Sequence, residues 1–95
     1  MNTYLLFGKY TPAALGAISP QRTEQAMELI DRFGGEVQAM YATLGEHDLV
    51  LVVNFPGNGE ALKASVALTK TLGIGFSTAP AVTVQQFDQL IDELK

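Results

Sequence analysis

Tyr41-Ala-Thr-Leu-Gly-Glu-His-Asp-Leu-Val-Leu-Val-Val53 is two strand-like runs around a short polar turn. The turn carries the only histidine of the chain, His47, beside the carboxylate of Asp48. So short a connection makes the two runs an antiparallel hairpin. Gly45 is free to take positive φ there, which fixes where the next side chains project. The run after the turn, Leu49 to Val53, is apolar at every position. A strand that is apolar on both sides cannot leave one face in water, so both faces need a cover.

The rest of the chain supplies the partners for this hairpin. Thr3 to Tyr10 is rich in aromatic and aliphatic residues and reads as a strand that stops at Thr11-Pro12. Thr11 to Ile18 reads as a connecting loop. Ser19-Pro20 then starts a helix, with serine as N-cap and proline at the first helical position. Ala26, Met27, Ile30 and Phe33 form its apolar stripe, and Gly34-Gly35 ends it. The hairpin strands are expected at about 36–44 and 48–55. Pro56-Gly57-Asn58-Gly59 breaks the pattern. Asn58 is the expected cap of a second helix ending at Leu72-Gly73, whose buried face is small: Ala61, Ala64, Ser65 and Leu68. A fourth strand spans about 75–82, and Pro80 places it at a sheet edge. Phe87, Leu90, Ile91 and Leu94 stand at helical spacing in a third, amphipathic helix over 84–95.

Ninety-five residues fill one domain, 1–95, with a core small enough that association would help it. There is no cysteine, hence no disulfide and no thiolate metal site. Ten acidic and six scattered basic side chains give a net charge of −4, with no basic stripe for a nucleic-acid backbone. No apolar run approaches the roughly 20 residues that span a bilayer, and the first residues lack the pattern of an export signal. The expectation is a cytoplasmic protein with no nucleic-acid or membrane partner.

The order strand-helix-strand-strand-helix-strand is the split βαβ arrangement, the α+β ferredoxin-like plait, here with an additional C-terminal helix. In that plait two helices cover one face of a four-stranded antiparallel sheet. Tyr4-Leu-Leu-Phe7 and Leu49-Val-Leu-Val-Val53, the two central strands, are apolar on both faces. The bare face is therefore expected to meet either the C-terminal helix or a second subunit. A homo-oligomer, at least a dimer through the sheet face, is the preferred expectation, because one short helix covers four strands poorly.

Thr3-Tyr-Leu-Leu-Phe-Gly-Lys-Tyr-Thr11, the helix end Phe33-Gly-Gly35 and above all Tyr41 to Asp48 resemble the GYD domain family over nearly the whole chain. The family's Gly-x-Tyr-Asp turn is matched by Gly45, by His47 in the tyrosine position and by Asp48. His47 exchanges a phenol for an imidazole, a side chain of different acid–base range. The resemblance implies a dimeric α+β barrel type of plait and carries no established activity. Relatives of that wider architecture range from cofactor-free enzymes to ligand sensors, so fold analogy decides nothing about function.

The candidate site residues are few. His47 and Asp48 are the candidates for acid–base chemistry, although an aspartate beside a hairpin turn is more often a holder of backbone N–H groups. Tyr4, Gly8, Tyr10, Tyr41 and Asn54 are the pocket candidates. Tyr4, Leu6, Gly8 and Tyr10 share one face of the first strand, where Gly8 leaves room for a ligand or for another backbone. No phosphate loop, nucleophile elbow or metal-ligand set is present, so no cofactor and no metal are expected. The expected role is small-molecule binding or oligomeric assembly. The alternative is a cofactor-free enzyme, monooxygenase- or isomerase-like, acting on a small aromatic or ketone-like metabolite.

Overall fold

The structure, a computed structural model, describes residues 1–94; Lys95, where the third helix was expected to end, lies outside the described residues. The elements are β1 (Asn2–Tyr10), α1 (Pro12–Leu15), α2 (Pro20–Arg32), β2 (Glu36–Ala42), β3 (Leu49–Phe55), α3 (Asn58–Leu72), β4 (Ile74–Ala81) and α4 (Val84–Asp92). The strands form one antiparallel sheet in the order β2-β3-β1-β4. The two strands that are apolar on both faces are thus the inner ones, and Pro80 sits on an edge strand, where a missing donor costs no ladder bond. This is the ferredoxin-like plait with a C-terminal helix.

Parity along the strands sorts the side chains. Tyr4 and Leu6 on β1, with Leu51, Val53 and Phe55 on β3, pack against Ala26, Leu29 and Ile30 of α2 and the small face of α3. Ala61, Ala64 and Ser65 let α3 lie close to the sheet, and Ser65 Oγ shares a 2.6 Å hydrogen bond with Thr78 Oγ1 on β4. Leu5 and Phe7 on β1, with Val50 and Val52 on β3, project from the other face. Among the described residues no helix covers that face. The molecule is accordingly thin, 52 × 30 × 18 Å, and none of α4 is buried.

Local signals explain the boundaries. Ser19 Oγ accepts the Arg22 N–H and Pro20 opens α2, as the Ser-Pro pair requires. Gly34 has φ +79° just beyond the helix, a conformation a Cβ would strain. Two expectations need correction. The segment after β1 is not all loop, because Thr11 Oγ1 accepts the Ala14 N–H and Pro12 opens the single turn α1. Asn58 is not the cap of α3; Gly57 takes that place without a side-chain bond, while Asn58 Oδ1 accepts the Tyr4 hydroxyl at 2.5 Å. A buried phenol wants a partner, and the neighbouring amide supplies it in place of capping.

β2 carries a bulge between Val37 and Ala39, with Gln38 as the extra residue. Val37 opposes Val53 on the helix-covered side, whereas Ala39 opposes Val52 and Tyr41 opposes Val50 on the open side. One inserted residue moves the second half of the strand to the other parity.

Candidate functional site

The open face of the sheet is built from Leu5, Phe7, Val50 and Val52 at its centre, with Ala39 and Tyr41 on the β2 side. Its polar border is formed at one end by Thr3 and Asn54, which are cross-strand partners; Thr3 Oγ1 donates to Asn54 Oδ1 at 2.9 Å. At the other end the hairpin turn folds over the sheet. The His47 ring lies on the Phe7 ring, centroids 5.1 Å apart and planes tilted by 39°. Lys9 Nζ reaches the Glu46 carbonyl at 3.2 Å beside it.

The turn is held from inside. Gly45 takes φ +106°. The Thr43 N–H donates to the Asp48 carbonyl at 2.9 Å, and Thr43 Oγ1 donates to the His47 carbonyl at 2.7 Å. The Asp48 N–H donates to the Gly8 carbonyl at 2.8 Å, while Asp48 Oδ2 accepts the Tyr10 N–H at 2.9 Å. The carboxylate therefore extends the β1–β3 ladder by one bond past its last backbone pair. It is aimed at the backbone and not at the imidazole. Asp48→Ala is expected to lower stability by about 1 kcal/mol, a melting-point drop of roughly 4–8 °C in a domain of this size. Asp48→Asn, which keeps an acceptor, should lose less; equal losses would show that the bond to Tyr10 does not hold the turn.

The other candidates fall in separate places. Tyr4 is buried on the helix side with its ring edge on Phe55, and its hydroxyl meets Asn58 at the wall of a cleft of about 330 Å³. Asn2, Thr3 and Gln86 add polar groups to that cleft. Tyr10 lies at the opposite end of the same face, in a small crevice with Arg22, Met40 and Leu49. Arg22 is not free there, since its guanidinium donates to the Leu72 carbonyl. Gly8 opens no pocket: a Cβ on it would lie 2.7 Å from Phe76 Cε1, so the Phe76 ring occupies the space. Tyr41 and Asn54 belong to the open face. The seven candidates thus divide over two faces and both ends of the sheet.

Asn58 and Gln86 join Tyr4 in the polar cleft, and no local motif marks them, because a turn asparagine and a helix-start glutamine read as caps. Gln86 does serve as one: the Thr83 N–H donates to Gln86 Oε1 at 3.2 Å and the Gln86 N–H to Thr83 Oγ1 at 3.1 Å. Among the described residues no group of three or more histidine, aspartate or glutamate side chains could hold a metal ion. Among them, too, no helix is long and apolar enough to cross a membrane.

A family model described as the GYD domain matches residues 4–91, from the first inner strand to the last helix. The chain belongs to the GYD domain family. No curated protein matches the sequence of this GYD domain. Among solved structures it is similar to the Mycobacterium tuberculosis leucine response regulatory protein LrpA, with a TM-score of 0.57 and 12% identity over 86% of this chain and 51% of that one. A structure of a glutamate-to-alanine mutant is similar to the same degree, with a TM-score of 0.57, 13% identity, and 86% and 50% coverage. The GYD domain spans about half the length of either protein. At such identity the likeness is one of fold.

Proposed function

We propose that this GYD domain is an assembly domain whose subunits pair through the open faces of their sheets. One observation carries the reading: Leu5, Phe7, Val50 and Val52 form an apolar centre on a face that, among the described residues, no helix covers. Apolar area of this kind on two inner strands gains about 25 cal/mol for each Å² removed from water, and a second identical face is self-complementary about a two-fold axis. His47 on Phe7 and the Thr3–Asn54 pair then form the polar rim at the two ends of the contact. Light scattering at micromolar concentration should return at least twice the 10.2 kDa chain mass. The mass of one chain would overturn the reading.

Small-molecule binding draws on a different observation, the cleft of about 330 Å³ beside the Tyr4–Asn58 bond. Its groups are hydroxyls and amides, which suit a small neutral ligand with several hydrogen-bonding atoms. Native mass spectrometry is expected to show a retained metabolite that Tyr4→Phe loses; retention by both proteins would place the ligand elsewhere. Turnover without a cofactor finds less support, since the Asp48 carboxylate is engaged by Tyr10 and does not orient His47 as a base.

A further inference from the structure

α4 has no buried residue, yet it has a complete capping box and a well-formed apolar stripe of Phe87, Leu90, Ile91 and Leu94. Each of these is at least 44% exposed. At about 100° per residue, Asp88 falls on one flank of that stripe and Glu93 on the other. A nine-residue helix is too short to hold its shape by propensity alone, so its order depends on a surface that receives the stripe.

A surface of matching chemistry lies on the helix layer. Leu62 and Val66 stand one turn apart on the outer side of α3, 66% and 50% exposed. Together with Phe33 and Ala67 they line an apolar groove of about 380 Å³, and its two charged residues are Lys63 and Lys70. These lysines are seven residues apart on one side of α3, roughly 10 Å along its axis. Asp88 and Glu93, five residues apart, are roughly 7.5 Å apart along the α4 axis and stand on opposite flanks of the stripe, so α4 meets both lysines by crossing α3 at an angle. An apolar stripe flanked by two carboxylates thus matches, in polarity and in sign of charge, an apolar groove whose charged residues are two lysines.

We propose that α4 of one copy seats in the Phe33–Leu62–Val66–Ala67 groove of another copy of this chain, with Lys63 and Lys70 receiving its acidic flanks. The groove lies on the helix side of the sheet and the open face on the other, so this contact and the sheet contact can form together. The helix contact then links sheet-paired dimers into a larger closed particle.

The test is light scattering on the full chain with single changes in exposed residues, backed by disulfide trapping, which the absence of native cysteine makes clean. Leu90→Asp on α4 and Val66→Asp in the groove should each lower the particle mass to the same value, that of the sheet-paired dimer, with the melting point of the domain retained. On oxidation, chains carrying Val66→Cys mixed with chains carrying Ile91→Cys should link to each other in preference to their own kind. A mass unchanged by either aspartate overturns the proposal. So does a mass lowered by Leu90→Asp but not by Val66→Asp, which would seat α4 on another surface. Efficient linkage within one chain carrying both cysteines would show α4 folding back on its own groove. Failure of the sheet contact is separable, because Val52→Asp removes that contact and leaves the effect of Leu90→Asp in place.

Discussion

Replacing Val52 with aspartate is expected to halve the particle mass measured by light scattering and to leave the circular dichroism spectrum unchanged. Val52 lies on an inner strand between Leu5 and Ala39, at the centre of the open face. In an isolated subunit Val52 is half-buried on the open face, so the new carboxylate keeps contact with water and costs the fold less than a buried charge. In a face-to-face pair the two-fold axis brings two such carboxylates into the same apolar contact. Burying an unpaired charge costs several kcal/mol, and each 1.4 kcal/mol is tenfold in affinity, so association should weaken more than about 100-fold. Val53→Asp, one residue along, is the control. Val53 is fully buried beneath the helices, so its replacement should unfold the chain instead of dissociating it. A Val52→Asp protein of parental mass would show that the sheets do not meet.

The contrast between Val52 and Val53 also shows what the amino-acid pattern can convey. The hydrophobic runs Tyr4 to Phe7 and Leu49 to Val53 mark the inner strands, each with one parity buried under the helices and the other forming the open face. Ser19-Pro20 and Gly34 placed α2, since those residue types satisfy or permit its terminal backbone geometry. The bulge at Gln38 is not legible, because an inserted residue looks like any other strand residue until a partner strand counts it out. Thr11-Pro12 reads as a strand stop and not as a helix start, because the helix it opens is a single turn with no apolar periodicity to accompany it. The candidate site was legible only residue by residue. Tyr4 and Tyr10 share a strand face and still end in different crevices, because Phe76 from β4 fills the interval at Gly8. That filling is a tertiary contact across an edge strand, which no local spacing encodes.

Phe55→Ala should be among the most damaging single changes in this domain, at about 3–5 kcal/mol. Total stability in small domains is only about 5–15 kcal/mol, so the melting point should fall by at least roughly 12 °C or the protein should fail to fold. Phe55 is fully buried at the end of β3, with the Tyr4 ring edge-on to it, centroids 5.8 Å apart and planes at 69°. Its position depends on a hydrogen atom: a Cβ on Gly35 would lie 2.6 Å from Phe55 Cε1 and 2.6 Å from Ile30 Cγ2. Gly35 is therefore required for close approach where the chain turns from α2 into β2. Gly35→Ala alone should cost about 1–3 kcal/mol by overpacking. Combined with Phe55→Ala it should cost less than in the parent, since the ring that it strikes is gone while Ile30 remains. A coupling of about 0.5–3 kcal/mol is the size expected for residues in direct contact. Denaturant titration of the four proteins measures it, and strict additivity would mean that the Phe55 ring does not fill the space above Gly35.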